Sequence, residues 1–177
     1  MPLGVIAGSG AFPQLVMRAA RAQGHDVAVV AIRDEAAPDL DRLAVELGGC
    51  RVRWLALGQL EECIRTFRDA GVSQAVMAGR VDHARLYTDL KPDPTLRAML
   101  ARVDAKSADP LLGAIAGVLA QHGIRVIDST SLLSSLRARA GQLTARGPSE
   151  DMRCDFEFGY RIATESGNIH RHPRFHL

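Results

Sequence analysis

Leu3-Gly4-Val5-Ile6-Ala7, Gly8-Ser9-Gly10 and Ala11-Phe12-Pro13 follow one another near the start of the chain, and their reading decides the fold. The first five residues are an apolar run with Val5 and Ile6 side by side, the mark of a strand buried on both faces. Gly8 and Gly10 allow a sharp turn. Pro13 suits the first turn of a helix, where its missing N–H costs nothing. Leu15, Val16, Ala19 and Ala20 recur at helical spacing, and Gly24 stands where a terminating glycine belongs. A strand, a glycine turn and a helix N-terminus in that order offer an anion free N–H groups and the positive end of a helix dipole.

Outward from this unit the same alternation continues. Asp26 to Ile32 is a second apolar strand, and Leu40, Leu43, Ala44 and Leu47 mark a helix stopped by Gly48-Gly49. Cys50 to Leu57 reads as a third strand and Gln59 to Ala70 as a helix with Leu60, Cys63, Ile64 and Phe67 on one face. Ser73 to Ala78 is the fourth strand, Leu96 to Val103 a helix, and Asp109-Pro110 an N-cap and first-turn proline opening a helix through Gln121. Ile124 to Ile127 is the fifth strand, and Met152 to Ala163 a last helix. Strands alternating with helices predict an α/β fold: a Rossmann-like, doubly wound, mostly parallel sheet of about five strands. Ligands of such sheets sit beyond the carboxyl ends of the strands. Gly8-Ser9-Gly10, Arg33-Asp34, Gly79-Arg80 and Asp128-Ser129-Thr130 converge there.

The totals narrow the class. At 177 residues, 47% of them hydrophobic, the chain can bury a real core. No apolar run approaches the ~20 residues of a membrane span, and no basic start with an apolar h-region precedes the first strand. A net charge of +2 and 5% aromatic residues give no reason to expect nucleic acid. Cys50, Cys63 and Cys154 are odd in number and lack a C-x-x-C, which predicts reduced thiols in a cytosol.

Each candidate site carries two readings. The Gly8 and Gly10 pair either cradles a phosphate, with Ser9 adding a hydroxyl, or makes a tight strand-to-helix turn; Pro13 replaces the third glycine of the dinucleotide fingerprint. Arg80 either meets an anion or pairs with Asp82. Asp128, Ser129 and Thr130 either bind sugar hydroxyls or cap the next turn. Lys106 and Asp109 read as a solvated face and a cap, and His83 and His122 as surface residues. His170, His172 and His176 lack partners at ligand spacing and read as a disordered basic tail. With no Ser-His-Asp order, no G-x-S-x-G and no H-E-x-x-H, no catalytic residue or metal ligand is assigned.

Val5 to Pro13, Leu57-Gly58-Gln59-Leu60, Val76 to Val81, Asp109 to Leu112, Gly141-Gln142-Leu143-Thr144 and Pro148-Ser149-Glu150, in that order, resemble the N-terminal half of the LpxI-type UDP-2,3-diacylglucosamine pyrophosphatases of lipid A biosynthesis. The resemblance covers about residues 3 to 165. It implies a cytoplasmic hydrolase peripheral to the inner membrane that cleaves UDP-2,3-diacylglucosamine to lipid X and UMP with a divalent cation, Mg²⁺ or Mn²⁺. It further implies residues 1–147 as the N-terminal domain, 148–166 as a helix leading toward a C-terminal domain, and 167–177 as a divergent tail. The family's catalytic aspartate belongs to an E-G-T-D-like segment of that C-terminal domain, which has no counterpart in this chain. What carries over is the N-domain side of the substrate cleft: Gly8, Ser9, Gly10, Gly79 and Arg80, with Thr130 beside them. The expectation is a substrate-binding portion inactive alone, with an apolar face that favours a homodimer. The alternatives are a stand-alone nucleotide-binding or interaction module, and an NAD(P)-dependent oxidoreductase using Asp34 for a ribose and Arg33 for a 2′-phosphate.

Overall fold

The computed structural model describes residues 1–82, 91–102, 108–138 and 141–170, the side chains of 108, 109, 135 and 166–170 excepted. Its first compact unit, Met1–Arg137, is built on five parallel strands: β1 Leu3–Ala7, β2 Val27–Ile32, β3 Cys50–Leu55, β4 Gln74–Ala78 and β5 Arg125–Val126, in the order β3-β2-β1-β4-β5. Between them run α1 Phe12–Ala22, α2 Leu40–Leu47, α3 Leu60–Asp69, α4 Pro94–Leu100 and α5 Ala108–Gln121. The chain winds outward from β1 to β3, returns to the far side of β1, and continues to β5. That reversal between β1 and β4 is the switch point of a doubly wound sheet.

Strand alternation sorts the apolar side chains into two cores. Leu3, Val5, Val29 and Val76 face α1 and α2, where Val16, Met17 and Leu40 are fully buried. Ala28, Val30, Ile32 and Ala75 face α3, α4 and α5, where Phe67, Leu119 and Ile124 are fully buried. Gly4 serves the second core. A Cβ there would stand 3.1 Å from Phe67 Cε1 and 3.0 Å from Ala75 Cβ, so the bare strand position is what lets the ring lie against the sheet.

The elements follow the sequence reading with local differences. The fifth strand is shorter than Ile124 to Ile127: its register with β4 is Arg125 and Val126, Ile127 N makes the last bond to Ala75 O (2.8 Å), and Ile124 N turns back to Leu119 O (3.0 Å) at the end of α5. The long helix begins at Ala108, so Asp109 lies inside α5 instead of capping it, and Pro110 remains in its first turn. Asp93 does cap: its carboxylate accepts from Leu96 N at the start of α4 (2.8 Å) and from Glu61 N at the start of α3 (2.6 Å). One side chain thereby joins two helix N-termini.

The second unit, Ala138–Leu177, contains α6, Glu150–His170. Ser149 Oγ accepts from Met152 N at its start, and Glu150 and Asp151 complement the helix dipole. Met152, Phe156, Phe158, Tyr160 and Ile162 are exposed along it. His83, Lys106, His172 and His176 lie outside the described residues, as does most of the expected tail.

Candidate functional site: an apolar cavity beneath two zipped strand ends

The two glycine turns predicted to receive an anion meet each other. Ala7 and Ala78 are register partners at the ends of β1 and β4, and the chains that leave them stay together. Gly8 N donates to Ala78 O (2.8 Å), Ser9 N to Arg80 O (2.7 Å), and Arg80 N to Ser9 O (3.2 Å). Ser9 Oγ adds a fourth bond, to Arg80 O (2.9 Å). The glycines are required by this approach. A Cβ at Gly8 would stand 2.3 Å from Arg80 O, and one at Gly79, whose φ is +89°, 2.5 Å from Ser9 O. The expectation that the glycine turn leaves its N–H groups free is therefore corrected at its start: the Gly8 amide, and that of Ser9 beside it, are occupied by the neighbouring strand end. Donors for an anion begin only further along the turn, from Gly10 to the start of α1.

Beneath this zipper a cavity of about 710 Å³ opens at the carboxyl ends of β1 to β4. Gly8, Ser9, Gly79 and Arg80 line it together. Its polar side chains come from the strand exits: Ser9 after β1, Glu35 after β2, Gln59 before α3, and Arg80 and Asp82 after β4. Its walls are aliphatic. Ile6, Val30 and Met77 come from the sheet, Leu60 and Cys63 from α3, Leu96 and Leu100 from α4, and Leu111 and Ile115 from α5. The Cys63 thiol lies within this wall, and burial pushes its pKa up to about 12, with the nearby Asp93 carboxylate adding to the rise.

Arg80 has an exposed side chain, and none of the ion pairs among the described residues involves it. Thr130 and Gly10 do not line the cavity. Asp128 accepts from Thr130 N (2.8 Å) and caps the 3₁₀ turn Ser129–Leu132, so the capping reading of that triplet is the one realised. Arg33 turns to the sheet edge, donating to Trp54 O (3.3 Å), and Asp34 occupies a left-handed turn with φ 64°. Neither lines the cavity; their neighbour Glu35 does. Sequence reasoning missed the aliphatic walls. The signal was α5 itself, Leu111-Leu112-Gly113-Ala114-Ile115-Ala116-Gly117, which is apolar all round and mostly small.

Fold and site together define a parallel α/β domain whose apolar cavity opens, under a polar rim, at the carboxyl ends of its strands. Residues 2–136 match the family model of the LpxI N-terminal domain, a stretch that nearly coincides with the first compact unit. The chain belongs to the LpxI family. It is 24% identical over 171 residues to the UDP-2,3-diacylglucosamine pyrophosphatase LpxI of Caulobacter vibrioides, an alignment covering 94% of this chain and 58% of that protein. The chain thus spans somewhat more than half the length of this curated relative. No helix among the described residues is long and apolar enough to cross a membrane.

Proposed function

We propose that this chain is the substrate-binding N-terminal portion of a UDP-2,3-diacylglucosamine pyrophosphatase, working in the cytoplasm at the inner-membrane surface where its lipid substrate lies. The observation that carries this is the convergence of Gly8, Ser9, Gly79 and Arg80 on one cavity rim in a domain that matches the LpxI N-terminal model. Arg80 supplies a guanidinium for the diphosphate, which it can meet in a bidentate manner. The turn beyond Ser9 and the start of α1 supply N–H donors and a favourable dipole. The zipper holds these groups at fixed spacing. In the overall reaction water adds across the diphosphate, one P–O bond breaks, and lipid X and UMP separate. This chain's part is to bind and orient.

A divalent cation accompanies that chemistry in the family reading. Among the described residues no three His, Cys, Asp or Glu side chains gather to hold an ion. The rim carboxylates, Glu35 and Asp82, do not make up such a set, so no step is routed through a metal here. An NAD(P) reading finds less support, because Arg33 and Asp34, which it needs at the 2′-phosphate and the ribose, do not line the cavity.

Calorimetric titration of the 177-residue chain with UDP-2,3-diacylglucosamine, UDP and NADPH tests the proposal. Binding of the first two is expected, with Arg80→Ala weakening both by about tenfold or more, as for loss of a charge-assisted hydrogen bond. Turnover with Mg²⁺ or Mn²⁺ is expected to be negligible. NADPH binding without UDP binding would overturn the assignment, and rapid hydrolysis would overturn the division of labour.

A further inference from the structure

The helix α6 carries large apolar side chains in water: Met152, Phe156, Tyr160 and Ile162 are between 44% and 61% exposed. Their arrangement is regular. Met152, Phe156, Gly159 and Ala163 follow one another at spacings of four, three and four residues, which places them on one stripe, the seam of a two-helix coiled coil. Gly159 is a notch in that stripe, since a Cβ built there meets nothing within 4 Å. Phe158 stands off the stripe, with the Arg161 guanidinium 5.6 Å from its ring centroid. An anionic bilayer is a poor cover for this face, because Glu150–Glu165 holds five carboxylates against two guanidiniums.

We propose that α6 pairs with α6 of a second copy of this chain, antiparallel, about a two-fold axis midway between Phe156 and Gly159. The stripe is complementary to itself in that orientation alone. Its large residues, Met152 and Phe156, lie as far before the midpoint as its small ones, Ala163 and Gly159, lie after it. Turned about the axis, Met152 covers the partner's Ala163, and the Phe156 ring enters the notch at the partner's Gly159. A parallel pair sets ring on ring and glycine on glycine, a clash beside a void. The flanks agree. Like flanks face each other across an antiparallel pair, so Arg153 meets the ring of the partner's Tyr160, and Asp155 passes the partner's Ile162 instead of another carboxylate. Aromatic rings cover about 150–250 Å² each, so Phe156 and Tyr160 from both copies, with Met152 and Ile162, bring the pair near the ~1,200 Å² lower bound of stable interfaces. That area suits a dimer of micromolar strength. The pairing concerns the second unit and does not rest on the substrate proposed above.

Sedimentation velocity of the 177-residue chain over a dilution series tests the pairing, and a dimer that dissociates on dilution is expected. Gly159→Phe sets ring against ring and Phe156→Ala empties the notch, so each alone should weaken the dimer by about tenfold or more. The two together exchange large for small and restore the fit, returning the affinity to within about threefold of the unchanged chain. All these positions are exposed on a helix, and circular dichroism checks that each variant keeps its helical content. Cross-linking then reads the orientation. In a Cys154→Ser background, a mixture of Met152→Cys and Ala163→Cys chains treated with diamide should form the mixed disulfide in preference to either homodimer. A chain that is monomeric at every concentration has this face covered by other segments of its own, or by nothing, and overturns the proposal. So does a dimer indifferent to both single variants, a double variant no tighter than the singles, or preferential disulfides between like chains.

Discussion

Gly8→Ala separates two meanings of the opening glycine turn. If Gly8 is bare so that a pyrophosphate can approach, an added methyl weakens ligand binding and leaves the free protein as stable as before. If it is bare because another backbone already lies there, the methyl damages the fold. The geometry favours the second: the new Cβ would stand 2.3 Å from Arg80 O and 2.9 Å from Arg80 C, both backbone atoms that no rotamer change can move. Relief requires parting the strand ends and losing the Ser9 N, Arg80 N and Ser9 Oγ bonds, at 2.7, 3.2 and 2.9 Å. At about 1 kcal/mol net for each bond the loss is roughly 3 kcal/mol, a large share of the ~5–15 kcal/mol of an ordinary domain. For a protein of this size that lowers Tm by roughly 6–12 °C. Gly10→Ala is the control. Gly10 has φ +91° and nothing within 4 Å of its Cβ position, so only the left-handed backbone resists and the cost is about 1 kcal/mol. Urea denaturation of the two variants, followed by circular dichroism without ligand, gives the comparison. Gly8→Ala as stable as Gly10→Ala would refute the zipper as the reason for the glycine.

Three further outcomes follow from the same packing. Phe67→Ala empties a fully buried ring site against Gly4 and should cost about 3–5 kcal/mol in the same denaturation assay. Asp93→Ala removes the acceptor shared by the first turns of α3 and α4, and a loss of about 2 kcal/mol is expected, a large value for a cap because two amides are released. Cys63 governs alkaline stability: its thiol ordinarily ionises at 9.0 and in the fold at about 12, so above pH 9 the unfolded chain sheds a proton that the folded chain keeps. Stability should fall from pH 9 upward by roughly 1 kcal/mol per pH unit, and Cys63→Ala should show a shallower slope between pH 9 and 10.5.

How much of this was legible in the sequence depends on how local each cause is. β1 and β2 are continuous apolar runs, and β4 is one after Gln74; their burial on both faces is what such runs mean. The exit glycines were legible as glycines but not in their purpose. A phosphate cradle is a local device, a turn followed by a helix, and the pattern Gly8-Ser9-Gly10 matches it. The zipper is not local: its two halves lie 71 residues apart, joined through backbone atoms that carry no residue-type signal. The trace that does survive in sequence is a repetition. Ala7-Gly8-Ser9 closes one strand and Ala78-Gly79-Arg80 closes another, the same small-glycine-polar ending twice, and the register sets the two alanines side by side. Adjacent strands that each end on a glycine point to a backbone approached by a backbone. The cavity is less legible still, since four strand exits and three helices each contribute a few aliphatic residues, and none of them alone looks different from core. Only α5 departs from the usual pattern, being small and apolar on every side where a surface helix would show a polar face. A helix of that kind can roof an apolar space as readily as it fills one, and that difference arises from the distance between layers, which no single stretch of sequence records.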